Sequence, residues 1–126
     1  MVLVGTDGSP PADAAVDQAA RLALAFGARL VVAGSDGAQV RAGVDTATSL
    51  GVTDVGSRML AGDPADALRA AAEDDGAELL VVGAGGATGP AGPEGHKQSP
   101  PHTLGRLANE VSHHAPCDLL IVVPTS

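Results

Sequence analysis

Short apolar runs at residues 2–6, 28–33, about 53–60, 78–83 and 118–123 alternate with stretches of helical periodicity, and this alternation constrains the fold most. Runs of this length are strands, and a helix between consecutive strands makes them parallel. Leu79-Leu80-Val81-Val82 and Leu119-Leu120-Ile121-Val122-Val123 lack polar alternation, as expected of strands buried on both faces. The expected architecture is α/β: an open parallel five-stranded sheet, three layers deep, with helices on both faces and right-handed crossovers.

The predicted helices carry their own start and stop signals. Ser9 caps the first, with Pro10 in a first turn that needs no N–H. Val16, Ala19, Ala20 and Ala23 form its inner stripe, and Gly27 closes it. The second is weaker, from about Ala38 to Leu50, with Val40, Val44, Ala47 and Leu50 on one face. The third has Asp63 as cap, Pro64 at its first position, Asp66 in its first turn and Gly76 at its end. The fourth runs from about Leu104 to His114 and stops before Pro116. Residues 87–104 break the pattern. Three Gly and four Pro with almost no apolar side chains predict a flexible insertion, at 87–103, within one domain spanning 1–126.

Composition removes several classes of function. Net charge is −8, with Lys97 the single lysine beside six arginines, whereas nucleic-acid binding needs clustered positive charge. Phe26 is the only aromatic residue, so no stacking platform for single strands exists. The same negative charge disfavours anionic membranes, and no apolar run has the length of a span. Val2-Leu3-Val4 reads directly as a strand, which predicts no signal peptide, and a lone cysteine, Cys117, fits a reducing compartment. The expected location is cytoplasmic.

The chemistry points to the end of the fourth strand. In a parallel sheet, ligands bind outside the carboxyl ends of the strands. Gly83-Ala84-Gly85-Gly86 offers close backbone approach there, and Gly105-Arg106 opens the next helix. Glycine amides and a helix N-terminus together supply unpaired N–H donors, which suit a phosphate. A left-handed turn after a strand explains Gly83 and Gly86 equally well.

These residues together resemble the universal stress protein family. Val2-Leu3-Val4-Gly5-Thr6-Asp7-Gly8-Ser9 is similar to its first strand and turn, and Gly62-Asp63-Pro64-Ala65-Asp66-Ala67-Leu68 to its third-helix entry. Leu79 to Gly86 resembles its fourth strand and glycine loop. Leu104-Gly105, with His114-Ala115-Pro116-Cys117 and Asp118 to Val123, resembles its last helix and strand. The resemblance covers nearly the whole chain. It implies a Rossmann-like sheet of the adenine nucleotide alpha hydrolase type, order 3-2-1-4-5, with a ligand cleft between the first and fourth strands. It implies ATP or another adenine nucleotide as ligand, Mg accompanying ATP, and cyclic AMP as a variant. The implied binding residues are Gly5, Thr6, Asp7, Ser35, Val82, Gly83, Gly86, Gly105, Arg106 and Leu107. It also implies a homodimer through the strand at 118–123.

Family members that bind ATP carry Gly-x-x-Gly, nine residues, then Gly-Ser or Gly-Thr. Gly83-Ala-Gly-Gly86 matches the first part, but the spacer is eighteen residues, Arg106 replaces the hydroxyl residue and Ala108 stands at a second hydroxyl position. The connection from second strand to second helix is also shorter than is usual. Doubling a loop costs only about 0.6 kcal/mol of closure entropy. Losing a hydroxyl donor to a charged phosphate costs about 1.5–3 kcal/mol. Arg106 either offsets that loss with a charge-assisted contact or fills the phosphate position. His96, Lys97 and His102 read as incidental charges of a solvated loop, folding over a phosphate being the alternative.

Simpler local roles suit several of these residues. Asp7 serves a ligand, or bonds the local amides of its own turn, or both. Ser35 falls where the family contacts adenine, and equally suits a plain turn with Gly34. Cys117 has no activating partner in the sequence and reads as a small buried residue. His113 and His114 point in different directions, so no metal site is expected. No P-loop is present, and no base pairs with a nucleophile. The expectation is a stress-response binding or signalling module without catalytic residues, weakly ATPase at most. The alternatives are a nucleotide-free dimeric interaction protein with a degenerate phosphate motif, and a very slow ATP hydrolase.

Overall fold

The computed structural model describes residues 1–84, 111 and 117–123. The elements follow in the order β1 (Val2–Gly5), α1 (Pro10–Phe26), β2 (Leu30–Gly34), α2 (Gly37–Leu50), β3 (Val55–Met59), α3 (Pro64–Asp75), β4 (Leu79–Gly83) and β5 (Asp118–Val122). All strand pairs are parallel, in the order β3-β2-β1-β4-β5. β1 lies between β2 and β4, with Val2 opposite both Leu30 and Leu79. The architecture inferred from strand and helix alternation, and the order implied by resemblance, are both observed.

Alternation along each strand divides the core. Val2, Val4, Leu30, Val32 and Val81 point to one face, where they meet Ala15, Val16, Ala19, Ala20 and Ala23 of α1 and Val40 and Ala47 of α2. Leu3, Val31, Ala33, Leu80 and Val82 point to the other, against Ala65, Leu68, Ala71 and Ala72 of α3. Val111, the one described residue of the predicted fourth helix, is helical and buried in that second cluster. The rest of that helix and the insertion lie outside the described residues. Small side chains let the helices sit close to the sheet. A Cβ on Gly43 of α2 would stand 2.8 Å from Val32 Cγ1.

Element ends differ from expectation for local reasons. β2 starts at Leu30 instead of residue 28 because the Ala28 N–H is used to close α1, donating to the Ala23 carbonyl. β1 stops before Thr6, whose hydroxyl oxygen turns back to accept the Gly8 N–H at 3.2 Å. α2 begins one residue earlier than predicted, at Gly37, because Asp36 caps it. Val44 and Leu50 are only partly buried against the core, while Gly43 takes the inner position between Val40 and Ala47.

Candidate functional site

At the carboxyl end of β1 the chain leaves into α1, which covers one face. β2, the next strand after β1, lies on one side of it, whereas β5, the next after β4, lies on the opposite side of the sheet. Strand order therefore reverses between β1 and β4, the kind of switch point at which open α/β sheets hold their ligands. β1, β2 and β4 deliver the predicted residues Gly5, Thr6, Asp7, Ser35, Val82 and Gly83 to this end of the sheet. Gly86, Gly105, Arg106 and Leu107 lie outside the described residues.

The β1–α1 turn is organised by its own side chains. Thr6 is buried, its N–H donates to the Ala33 carbonyl at 2.8 Å, and its hydroxyl oxygen holds the Gly8 N–H. Asp7 Oδ1 accepts from the Ser9 N–H at 3.0 Å and from the Ser9 hydroxyl. The local role of Asp7 is thus realised in full. Its Oδ2 takes no hydrogen bond among the described residues, so one carboxylate oxygen remains available.

Two glycines here answer to packing. A Cβ on Gly5 would stand 2.9 Å from Leu68 Cδ1, and one on Gly83 would collide with the Pro11 carbonyl group. Val82 is fully buried in the core, and Ser35 is an exposed bend residue. Close packing therefore accounts for Gly83 without any ligand.

The helix starts decide where an anion can sit. Pro10 and Pro11 deprive α1 of its first two N–H groups; the Ala12 N–H donates to Ser9 Oγ at 3.3 Å and the Asp13 N–H to the Ser9 carbonyl. At α2, Asp36 Oδ1 accepts from the N–H groups of Ala38 and Gln39 at 2.9 and 3.2 Å. Asp63 caps α3 in the same way through the Asp66 N–H. Asp7 and Asp36 also place negative charge at the ends of β1 and β2. A phosphate is repelled there, whereas hydroxyl and amino donors are welcome.

The Asp36 cap and Gln39 escaped the sequence reading, and Gly34, read there as a plain turn residue, is the last residue of β2. A Cβ on Gly34 would meet the Thr6 carbonyl oxygen at 2.6 Å, and Gln39 lies against Gly8. The cap was legible as Asp immediately before a helical run. The other two depend on how β1 and β2 converge, and no local signal marks them.

Elsewhere, a cavity of about 350 Å³ lies at the opposite end of the sheet, lined by Met1, Arg29, Val31, Ser57, Arg58 and Asp75. Its guanidinium groups already face carboxylates, Arg58 with Asp75 at 2.7 Å and Arg29 with Asp54 at 3.3 Å. Cys117 is half-buried; burial, then the Asp118 charge, pushes its thiol pKa up, against nucleophilic use. No group of metal-ligating side chains occurs among the described residues. None of the described helices is long and apolar enough to cross a membrane.

The sequence matches the universal stress protein family over residues 1–36 and 35–123, the two segments meeting at the β2–α2 connection. Among solved structures, a universal stress protein in complex with cAMP is 34% identical, with 98% of this chain and 96% of that one covered, at a TM-score of 0.78. A Mycobacterium tuberculosis protein is 36% identical over 98% and 94% of the two chains, at 0.60. The universal stress protein from Archaeoglobus fulgidus in complex with dAMP, 15% identical over 96% and 95%, shares the fold at 0.68. No curated protein sequence matches at a significant level.

Proposed function

This chain belongs to the universal stress protein family, and from that premise we propose that it binds an adenine nucleotide in the crevice between β1 and β4. The observation that carries the reading is the position of β1, paired with β2 on one side and β4 on the other, with Asp7 at its carboxyl end. The adenine class rests on the 34% identical relative in complex with cAMP.

The helix caps orient the ligand. Base and ribose take the β1 and β2 ends, where Asp7 Oδ2 accepts a hydroxyl or amino hydrogen and Ser35 lies beside the base. The phosphate takes the β4 side, because α1 has lost or spent its terminal donors and the Asp36 carboxylate occupies the Ala38 and Gln39 N–H groups of α2. Gly86, Gly105, Arg106 and Leu107 are the proposed phosphate contacts, with Gly5, Thr6, Val82 and Gly83 forming the floor. A single phosphate, as in AMP or cyclic AMP, suits the lost hydroxyl better than three; Mg enters only with ATP.

The protein acts in the cytoplasm as a binding and signalling module without turnover. A second copy pairs along β5, an edge strand whose Leu119 to Val122 are only partly buried and whose neighbour Val123 is 59% exposed.

Calorimetric titration with ATP, AMP and cyclic AMP tests the reading, alongside thermal unfolding. Ligand at a hundred times its Kd adds about 2.7 kcal/mol, a rise of several degrees in Tm. Absence of heat and of any Tm shift at millimolar concentrations of all three ligands sinks it.

A further inference from the structure

We propose that Gln39 reads the edge of the base in this crevice, an inference that rests on the nucleotide reading above. Only Ser35 and Asp36 separate β2 from α2, and the two segments of family similarity meet at those residues. The first turn of α2 therefore stands at the mouth of the crevice. Asp36 Oδ1 fixes that turn through the Ala38 and Gln39 N–H groups.

From there the Gln39 side chain reaches back over the β1–α1 turn. A Cβ on Gly8 would stand 2.9 Å from both Cδ and Nε2 of Gln39. Gly8 has a φ of 79°, so the carboxamide rests against bare backbone next to Asp7. Gln39 is partly buried, yet its carboxamide makes no hydrogen bond with the described residues. Its amide oxygen and nitrogen stay open to solvent, so a ligand can take both without breaking a bond inside the protein.

Its chemistry selects the partner. Asp7 and Asp36, at the ends of β1 and β2, are carboxylates that only accept, and the Thr6 and Ser9 hydroxyls are engaged within the turn. Among these described side chains, the carboxamide alone offers a donor beside an acceptor. Adenine presents the complement, an amino donor beside a ring-nitrogen acceptor, and the two meet through paired hydrogen bonds.

The experiment titrates the full chain and its Gln39→Met and Gln39→Glu variants with AMP, cyclic AMP and ATP, each against its guanine counterpart. Gln39→Met keeps length and helix propensity; it is expected to weaken adenine-nucleotide binding about tenfold with an unchanged unfolding curve. Gln39→Glu is expected to shift the preference towards guanine, because a carboxylate accepts from the N1 and N2 hydrogens of guanine and repels the adenine ring nitrogen. Wild-type protein that binds adenine nucleotides, with variants that keep its adenine-to-guanine ratio, overturns the role of Gln39 and leaves the nucleotide reading intact. Wild-type protein that binds none of the ligands overturns the nucleotide reading itself.

Discussion

Gly83 at the end of β4 and Pro11 in the first turn of α1 meet backbone to backbone: a Cβ on Gly83 would collide with the Pro11 carbonyl and stand 2.9 Å from the Ala12 nitrogen. The contact seats α1 against β4 as well as against β1, at the point where strand order reverses. A glycine that sequence alone offers to a phosphate is thus also required by the scaffold around it.

Gly83→Ala therefore destabilises the fold by about 3 kcal/mol, because the obstructing atoms are backbone and cannot rotate away. Urea unfolding measures the loss. An unchanged midpoint with weakened nucleotide binding would instead assign Gly83 to the ligand alone.

Asp7 combines two duties that substitution separates. Asp7→Ala removes the acceptor for the Ser9 N–H and hydroxyl and lowers stability by about 1 kcal/mol. Asp7→Asn retains an acceptor for the turn, so its unfolding curve stays near wild type while its affinity for an adenine nucleotide falls. Equal affinities for Asp7→Asn and wild type in calorimetry would remove Asp7 from the ligand.

Gly5 and Leu68 are coupled through direct contact. Leu68 is fully buried, so Leu68→Ala costs about 2–5 kcal/mol. Gly5→Ala alone crowds the Leu68 methyl groups, but the double variant gives the new methyl the vacated space. Its destabilisation is expected to fall about 1 kcal/mol or more below the sum of the two. Strict additivity in a double-mutant cycle would contradict the packing.

Cys117 gives a pH signature. Its thiol pKa is raised by burial first and by Asp118 second, so the folded state holds the proton at pH values where the unfolded chain has released it. That contribution is fully present below the unfolded thiol pKa and is lost as pH rises through the folded one. Cys117→Ala should flatten the alkaline fall in stability, and alkylation of the native thiol should be slower than that of a free cysteine at the same pH. Alkylation as fast as a free thiol at neutral pH would refute the shift.

Local signals determined most of the scaffold. Ser9 with Pro10, Asp63 with Pro64, and the glycines at 27 and 76 start and stop helices through nearest neighbours, and the apolar runs mark strands wherever they pair. Parallel pairing followed from helices between strands, and the strand order from the resemblance. The crevice was legible only as a place. The bonds from Ser9 to Asp7 stay within one turn and were among the local readings, but that Gly83 faces Pro11 and that Gln39 lies on Gly8 are meetings between residues far apart in the chain. Tertiary structure alone decided them, because the hydrophobic pattern specifies which face of an element is buried, while the close approach of two backbones depends on how those faces finally stack.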